Sequence, residues 1–113
     1  MFIYKVCTET LWREAEREGV FRGAPVDFQD GYIHFSTASQ VAETLAKHFA
    51  GQTDLLLIEI DTGRLGAALK WEPSRGGALF PHLYGALKLA AVTRVVPLPL
   101  GAGGIHTLPP LPA

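Results

Sequence analysis

The run Leu55-Leu56-Leu57-Ile58-Glu59-Ile60 constrains this chain more than any other segment. Consecutive apolar residues at strand length, closed by Asp61-Thr62-Gly63, predict a β-strand buried on both faces. Such a strand needs cover above and below, so the remaining chain must supply both layers. With 113 residues the chain fits one domain. A chain of that size buries roughly two-thirds of its unfolded surface, enough for one modest core. Its single cysteine makes no internal disulfide, and no Cys/His spacing suggests structural zinc. At 48% apolar and 19% charged it is no acidic disordered chain. A net charge of -1 without a long Lys/Arg run argues against duplex DNA as a partner. The longest uncharged stretch, Val95 to Ala113, is broken by Pro97, Pro99 and several glycines, so no membrane helix is expected. Met1 to Val6 is too short for a signal peptide, and the expectation is a soluble cytoplasmic domain.

The rest of the chain reads as short elements. Phe2 to Val6 predicts a first strand. Thr8 and Thr10 are candidate N-caps for a helix over about Leu11 to Glu18, which Gly19 ends. Val20 to Gln29 reads as a loop anchored by Phe21 or Phe28. After the Asp30-Gly31 turn, Tyr32 to about Ser36 reads as a strand. Thr37 and Gln40 have capping-box spacing, predicting a helix to about Phe49 with Val41, Ala42, Leu45 and Phe49 on one face. Leu65 to Trp71 fits a short helix or a strand, and Phe80 to Leu89 one or two short strands. Ala91 to Leu98 is a final strand. The sum is an α+β domain over residues 1–100: a small split, mixed β-sheet with two flanking helices. Residues 101–113 form a Pro/Gly-rich tail, expected to lie extended or disordered on the surface.

Two clusters could carry chemistry. Along a strand Tyr32, His34 and Ser36 share one face, and Ile33 and Phe35 the other. Ser36 and Thr37 sit at a strand-to-helix junction, where hydroxyls and free backbone amides can meet a phosphate. The plainer reading makes His34 a half-buried strand residue and Ser36 or Thr37 a helix cap. The second cluster runs Trp71-Glu72-Pro73-Ser74-Arg75-Gly76-Gly77, then Phe80-Pro81-His82-Leu83-Tyr84-Gly85. Arg75 could grip a phosphate or carboxylate, and His82 and Tyr84 point the same way if extended. The plainer reading is a solvated turn with a packed Tyr84. Cys7 reads as a small packed residue. No His-x-x-x-His spacing or nucleophile elbow is present, so neither metal nor a serine hydrolase is expected.

These strings carry a resemblance. Ile3-Tyr4-Lys5-Val6, Asp30-Gly31-Tyr32-Ile33-His34-Phe35-Ser36-Thr37 with Gln40, His48-Phe49, Trp71-Glu72 and Phe80-Pro81-His82-Leu83-Tyr84-Gly85 resemble the uncharacterised bacterial domain-of-unknown-function family 952. The resemblance covers all but the tail and implies a fold similar to ADP-ribosyltransferases. More distantly, His34-Phe35-Ser36 is similar to the His-x-Ser strand of RNA 2'-phosphotransferases, which share that fold and use NAD. The resemblance thus implies NAD as cofactor and a nucleotide-like small molecule as partner, with RNA or protein as a possible acceptor. His34 and Ser36 would contact nucleotide or phosphate. Lys5 stands where those folds carry a first-strand histidine or arginine, and Glu72 stands in for the carboxylate that grips the nicotinamide ribose. The phosphotransferase's further arginines have no evident counterpart beyond Arg75.

Three functions follow as expectations. As an NAD-dependent transferase or glycohydrolase, the chain would use His34, Glu72 and His82 catalytically. Lys5, Ser36, Thr37 and Arg75 would hold the substrate, with Trp71 or Tyr84 stacking on a ring. As a binding module it would keep the nucleotide or anion pocket without turnover. As a partner-binding domain it would dock Leu108-Pro109-Pro110-Leu111-Pro112 on another chain.

Overall fold

The apolar run forms strand β4 (Leu55–Asp61), the middle strand of a three-stranded sheet between β1 (Phe2–Thr8) and β8 (Val92–Pro97). This is a computed structural model that describes all 113 residues, the side chain of Arg75 excepted. Both pairings in the sheet are antiparallel. Leu55 through Ile60 are all buried, as the absence of alternation demanded.

The register divides the cover. On one face, Ile3, Cys7, Leu56, Ile58 and Ile60 pack with Trp12, Phe21, Ile33 and Leu83. On the other, Tyr4, Val6, Leu55, Leu57 and Leu98 pack with Val41 and Leu45. Helix α1 (Glu9–Glu18) covers the first face with Trp12 and Ala15. Its N-cap is Thr8, whose side chain accepts from the Leu11 N–H at 3.2 Å, and Gly19 ends it at φ 84°. The second face is covered by α3 (Val41–His48) and by the tail.

Two smaller sheets complete the fold: β2 (Val20–Phe21) with β7 (Leu87–Lys88), and β3 (Ile33–His34), β6 (Leu79–Leu83) and β5 (Leu69–Pro73) in the order β3-β6-β5. All their pairings are antiparallel, so the expected mixed sheet is corrected: three antiparallel sheets divide the strands. The expected pair of helices is also corrected to three. Pro25–Asp30 forms α2 inside the presumed loop, with Pro25 at its start and the Asp27 carboxylate accepting the Ala24 N–H at 2.7 Å. Six residues are too few to show a helical period. Phe21 is the buried anchor there, whereas Phe28 is exposed.

Other differences are local. The Thr37 N–H does reach the Gln40 side chain, at 3.0 Å, but the helix starts only at Val41 and Ala42 is exposed. Leu65 to Trp71 splits into a 3-10 turn and the start of β5. The tail does not lie loose. A turn at Ala102–Gly104 reverses the chain, and Leu108 and Leu111 pack against the second face of the sheet. His106 is buried, its Nε2 lying 2.7 Å from the Gln52 carbonyl. Apolar side chains in an aperiodic segment took the patch of sheet that α3 leaves open. Among the described residues, no helix is long and apolar enough to cross a membrane.

Ile58 is fully buried in the middle of the central strand. Ile58→Ala is expected to destabilise the fold by about 2–5 kcal/mol, read as a lower urea midpoint at unchanged slope.

Candidate functional site

β1 is an edge strand, and it is bridged on its free side only at Tyr4, which exchanges backbone hydrogen bonds with Ser36 at 2.8 and 2.9 Å. A cleft of about 600 Å³ opens along that edge. Lys5 and Cys7 of β1, Asp30 at the end of α2, His34 of β3 and His82 of β6 all reach its wall.

The wall is held by one buried carboxylate. Asp27 receives Lys5 Nζ at 2.8 and 3.1 Å, the Ala24 N–H at 2.7 Å, the His34 N–H at 3.1 Å and His34 Nδ1 at 2.6 Å. The side chains of Asp27 and Lys5 are 1% and 6% exposed, so each neutralises a charge that the interior would otherwise disfavour. Burial pushes the Asp27 carboxyl up. The hydrogen bond from His34, the charge and hydrogen bonds of Lys5 and the Ala24 N–H outweigh it and hold the group at about 2. Lys5 Nζ also donates to the His34 carbonyl at 3.0 Å, so its three donors are committed inside the fold.

His34 and His82 stand directly opposite each other across β3 and β6, with ring centroids 5.5 Å apart. Each ring is fixed at Nδ1 by a carboxylate. For His34 this is Asp27, and its Nε2 meets Asp30 Oδ2 at 2.9 Å. A carboxylate only accepts, so both contacts form together only when both ring nitrogens carry hydrogen. His82 is buried, and its Nδ1 lies 2.9 Å from Glu72 Oε1. The Tyr84 hydroxyl donates to the same oxygen at 2.7 Å. Hydrogen bonds from His82 and Tyr84 hold the Glu72 carboxyl below its usual range, against the opposing effect of burial. That bond to Glu72 in turn pushes the Tyr84 phenol up. Tyr32 lies over both histidines, stacked on His82 at 4.1 Å and tilted on His34 at 4.7 Å.

The structure therefore brings His34, His82, Glu72 and Tyr84 together. Ser36 is buried at the cleft wall, its Oγ 2.8 Å from Thr44 Oγ1. Thr37 lies outside the cleft lining, and its N–H is taken by Gln40. Trp71 pairs with Pro81 and so faces away from Glu72 and His82, half exposed. The Arg75 side chain lies outside the described residues. Burial pushes the Cys7 thiol up to about 11, leaving it a packed, protonated group at neutral pH. Among the described residues, no group of three or more His, Cys, Asp or Glu side chains is arranged to hold a metal ion.

Sequence reasoning missed Asp27, the residue that orders the site. Its signal was local: a proline followed two residues later by an aspartate, a pattern suited to the first turn of a helix.

These features define a small α+β domain with a cleft beside a carboxylate-anchored histidine pair. The chain matches the family described as "Protein of unknown function (DUF952)" over residues 6–95, and it belongs to that family. Among solved structures it is similar to the crystal structure of protein CC0527 from Caulobacter crescentus, at 46% identity and a TM-score of 0.91, covering 95% of this chain and 94% of that one. The solution NMR structure of CC0527 matches at 47% identity and a TM-score of 0.83, covering 92% and 90%. No curated protein matches the chain.

The depressed Asp27 carboxyl gives a pH dependence with a definite sign. Because its folded value of about 2 lies below the ordinary 3.8, its stabilisation is present above that ordinary value and is lost as pH falls through about 2. Urea midpoints measured downward from pH 5 are expected to show a loss on the order of 2 kcal/mol from this group. At pH 7, Asp27→Asn strands the Lys5 ammonium and is expected to cost about 3–5 kcal/mol.

Proposed function

We propose that the cleft along β1 binds an NAD- or ADP-ribose-like nucleotide on a fold of the ADP-ribosyltransferase kind. The observation that carries this reading is the strand-paired His34 and His82, each fixed by a carboxylate, at the wall of one cleft. Its volume of about 600 Å³ suits a small-molecule ligand, since such sites run to about 300–1,000 Å³. His34 and Ser36 meet ribose or phosphate, and His82 moves a proton. Lys5 acts by positioning His34 through Asp27 rather than by gripping the ligand itself. No metal enters the proposal.

The catalytic form of this reading is an NAD-dependent transferase or glycohydrolase, with RNA or protein as the acceptor. Cleaving the bond to nicotinamide builds positive charge on the ribose, which an ionised Glu72 would stabilise. One observation favours the alternative, a non-catalytic nucleotide- or anion-binding module: Glu72 is engaged by His82 and Tyr84 and does not line the cleft.

Titration of NAD and of ADP-ribose into isotope-labelled protein is expected to shift the amides of Lys5, His34, Ser36 and His82. His34→Ala should weaken binding by about tenfold or more, about 1.4 kcal/mol. No shift at millimolar ligand overturns the nucleotide reading. Release of nicotinamide that falls about 100-fold in Glu72→Gln would establish the enzyme, and binding without release the module.

A further inference from the structure

The second face of the main sheet holds a polar row that the cleft does not use. Tyr4, Glu59 and Arg94 are register partners across β1, β4 and β8. Glu59 is buried and lies at the centre. It accepts from the Tyr4 hydroxyl at 3.2 Å, Arg94 Nη2 at 2.9 Å and Thr93 Oγ1 at 2.8 Å. Burial and the neighbouring Glu59 charge push the Tyr4 phenol up to about 12, so it remains a hydrogen-bond donor.

The tail lies on this row. The Pro110 carbonyl accepts from Arg94 Nη2 at 3.1 Å, and the Pro112 carbonyl shares with Glu59 the single hydrogen of the Tyr4 hydroxyl. Leu108 and Leu111 pack among the apolar residues of the same face. Pro109, Pro110 and Pro112 have no N–H to join a ladder, and their φ angles are preset. The segment is thus read by its leucine side chains and its carbonyls. A phenol and a guanidinium donating to the carbonyls of a prolyl segment, with apolar contacts beside them, is a recognition arrangement for extended proline-rich peptides.

We propose that this face is a binding groove for an extended Leu-Pro-Pro-Leu-Pro segment, filled in cis by the chain's own tail and open to a proline-rich partner peptide when the tail is displaced. The hinge is the Gly101-Ala102-Gly103-Gly104 turn, in which Gly103 and Gly104 adopt positive φ of 74° and 75°. The tethered tail competes at a high local concentration, so a free peptide binds the native chain weakly and a tail-released chain well. Specificity resides in the two leucines, which must be spaced to meet the apolar face.

The test uses the full chain with Leu108→Ser and Leu111→Ser, which alters the tail and leaves the groove intact, and a synthetic peptide of the sequence of residues 105–113. The double variant is expected to bind this peptide about tenfold or more tighter than the unaltered chain, with shifts at Thr93 and Arg94, and to ignore a peptide carrying serine at both leucines. If the variant unfolds, millimolar peptide must restore its folded spectrum, because a ligand of the folded state alone raises apparent stability. A folded, tail-released variant that binds no peptide overturns the proposal, as does an unfolded one that the peptide fails to restore. A tail that stays docked without its leucines overturns it as well. A concentration-dependent dimer of the unaltered chain that the peptide dissociates would assign the groove to the tail of a second copy, against a partner peptide.

Discussion

The buried pairing of Asp27 with Lys5 is the interaction on which the site depends. Two opposite charges, almost wholly removed from water, sit on segments far apart in sequence. Neither would be tolerated there alone, so β1 and α2 are required to meet. His34 is then placed by three contacts to this pair: its N–H and ring to Asp27, and its carbonyl to Lys5. Because β3 is only two residues long, its two ladder positions offer little to hold it. The ion pair supplies what the short strand lacks. Once His34 is placed, the register puts His82 opposite, and His82 brings Glu72 and Tyr84 with it.

The main sheet repeats this logic on its other face. Glu59 is a second buried carboxylate, satisfied by donors from both edge strands. The two faces thus differ in what completes them. The first is closed by α1 and the smaller sheets, the second by α3 and the tail. Tyr4 belongs to both regions, since it sits in the second face and also lines the cleft. The tail and the cleft therefore share a wall residue.

Much of the framework was legible in local pattern. The unalternated apolar run told of a strand covered twice, and Thr8 and Gly19 bounded α1. Alternation put His34 and Ile33 on opposite faces and His82 and Tyr84 on the same one. What failed to show were features without a period. A six-residue helix, the two-residue strand β2 and a prolyl tail give no repeating signal to read. Asp27 looked like one acidic residue in a loop, because its partners stand 22 residues before it and 7 after it in the chain.

The sequence by itself determined the fold class, the central strand and the residue types that gather at the cleft, because hydrophobic pattern and capping chemistry act over a few neighbours. Only the tertiary structure decided that the strands divide into three antiparallel sheets and that the Lys5 ammonium, at the cleft wall, is bound to Asp27 and the His34 carbonyl. It also decided that Trp71 turns away from Glu72, and that the tail is part of the core's cover. Each of these depends on pairings between distant segments, settled by which buried charge and which apolar patch must be matched.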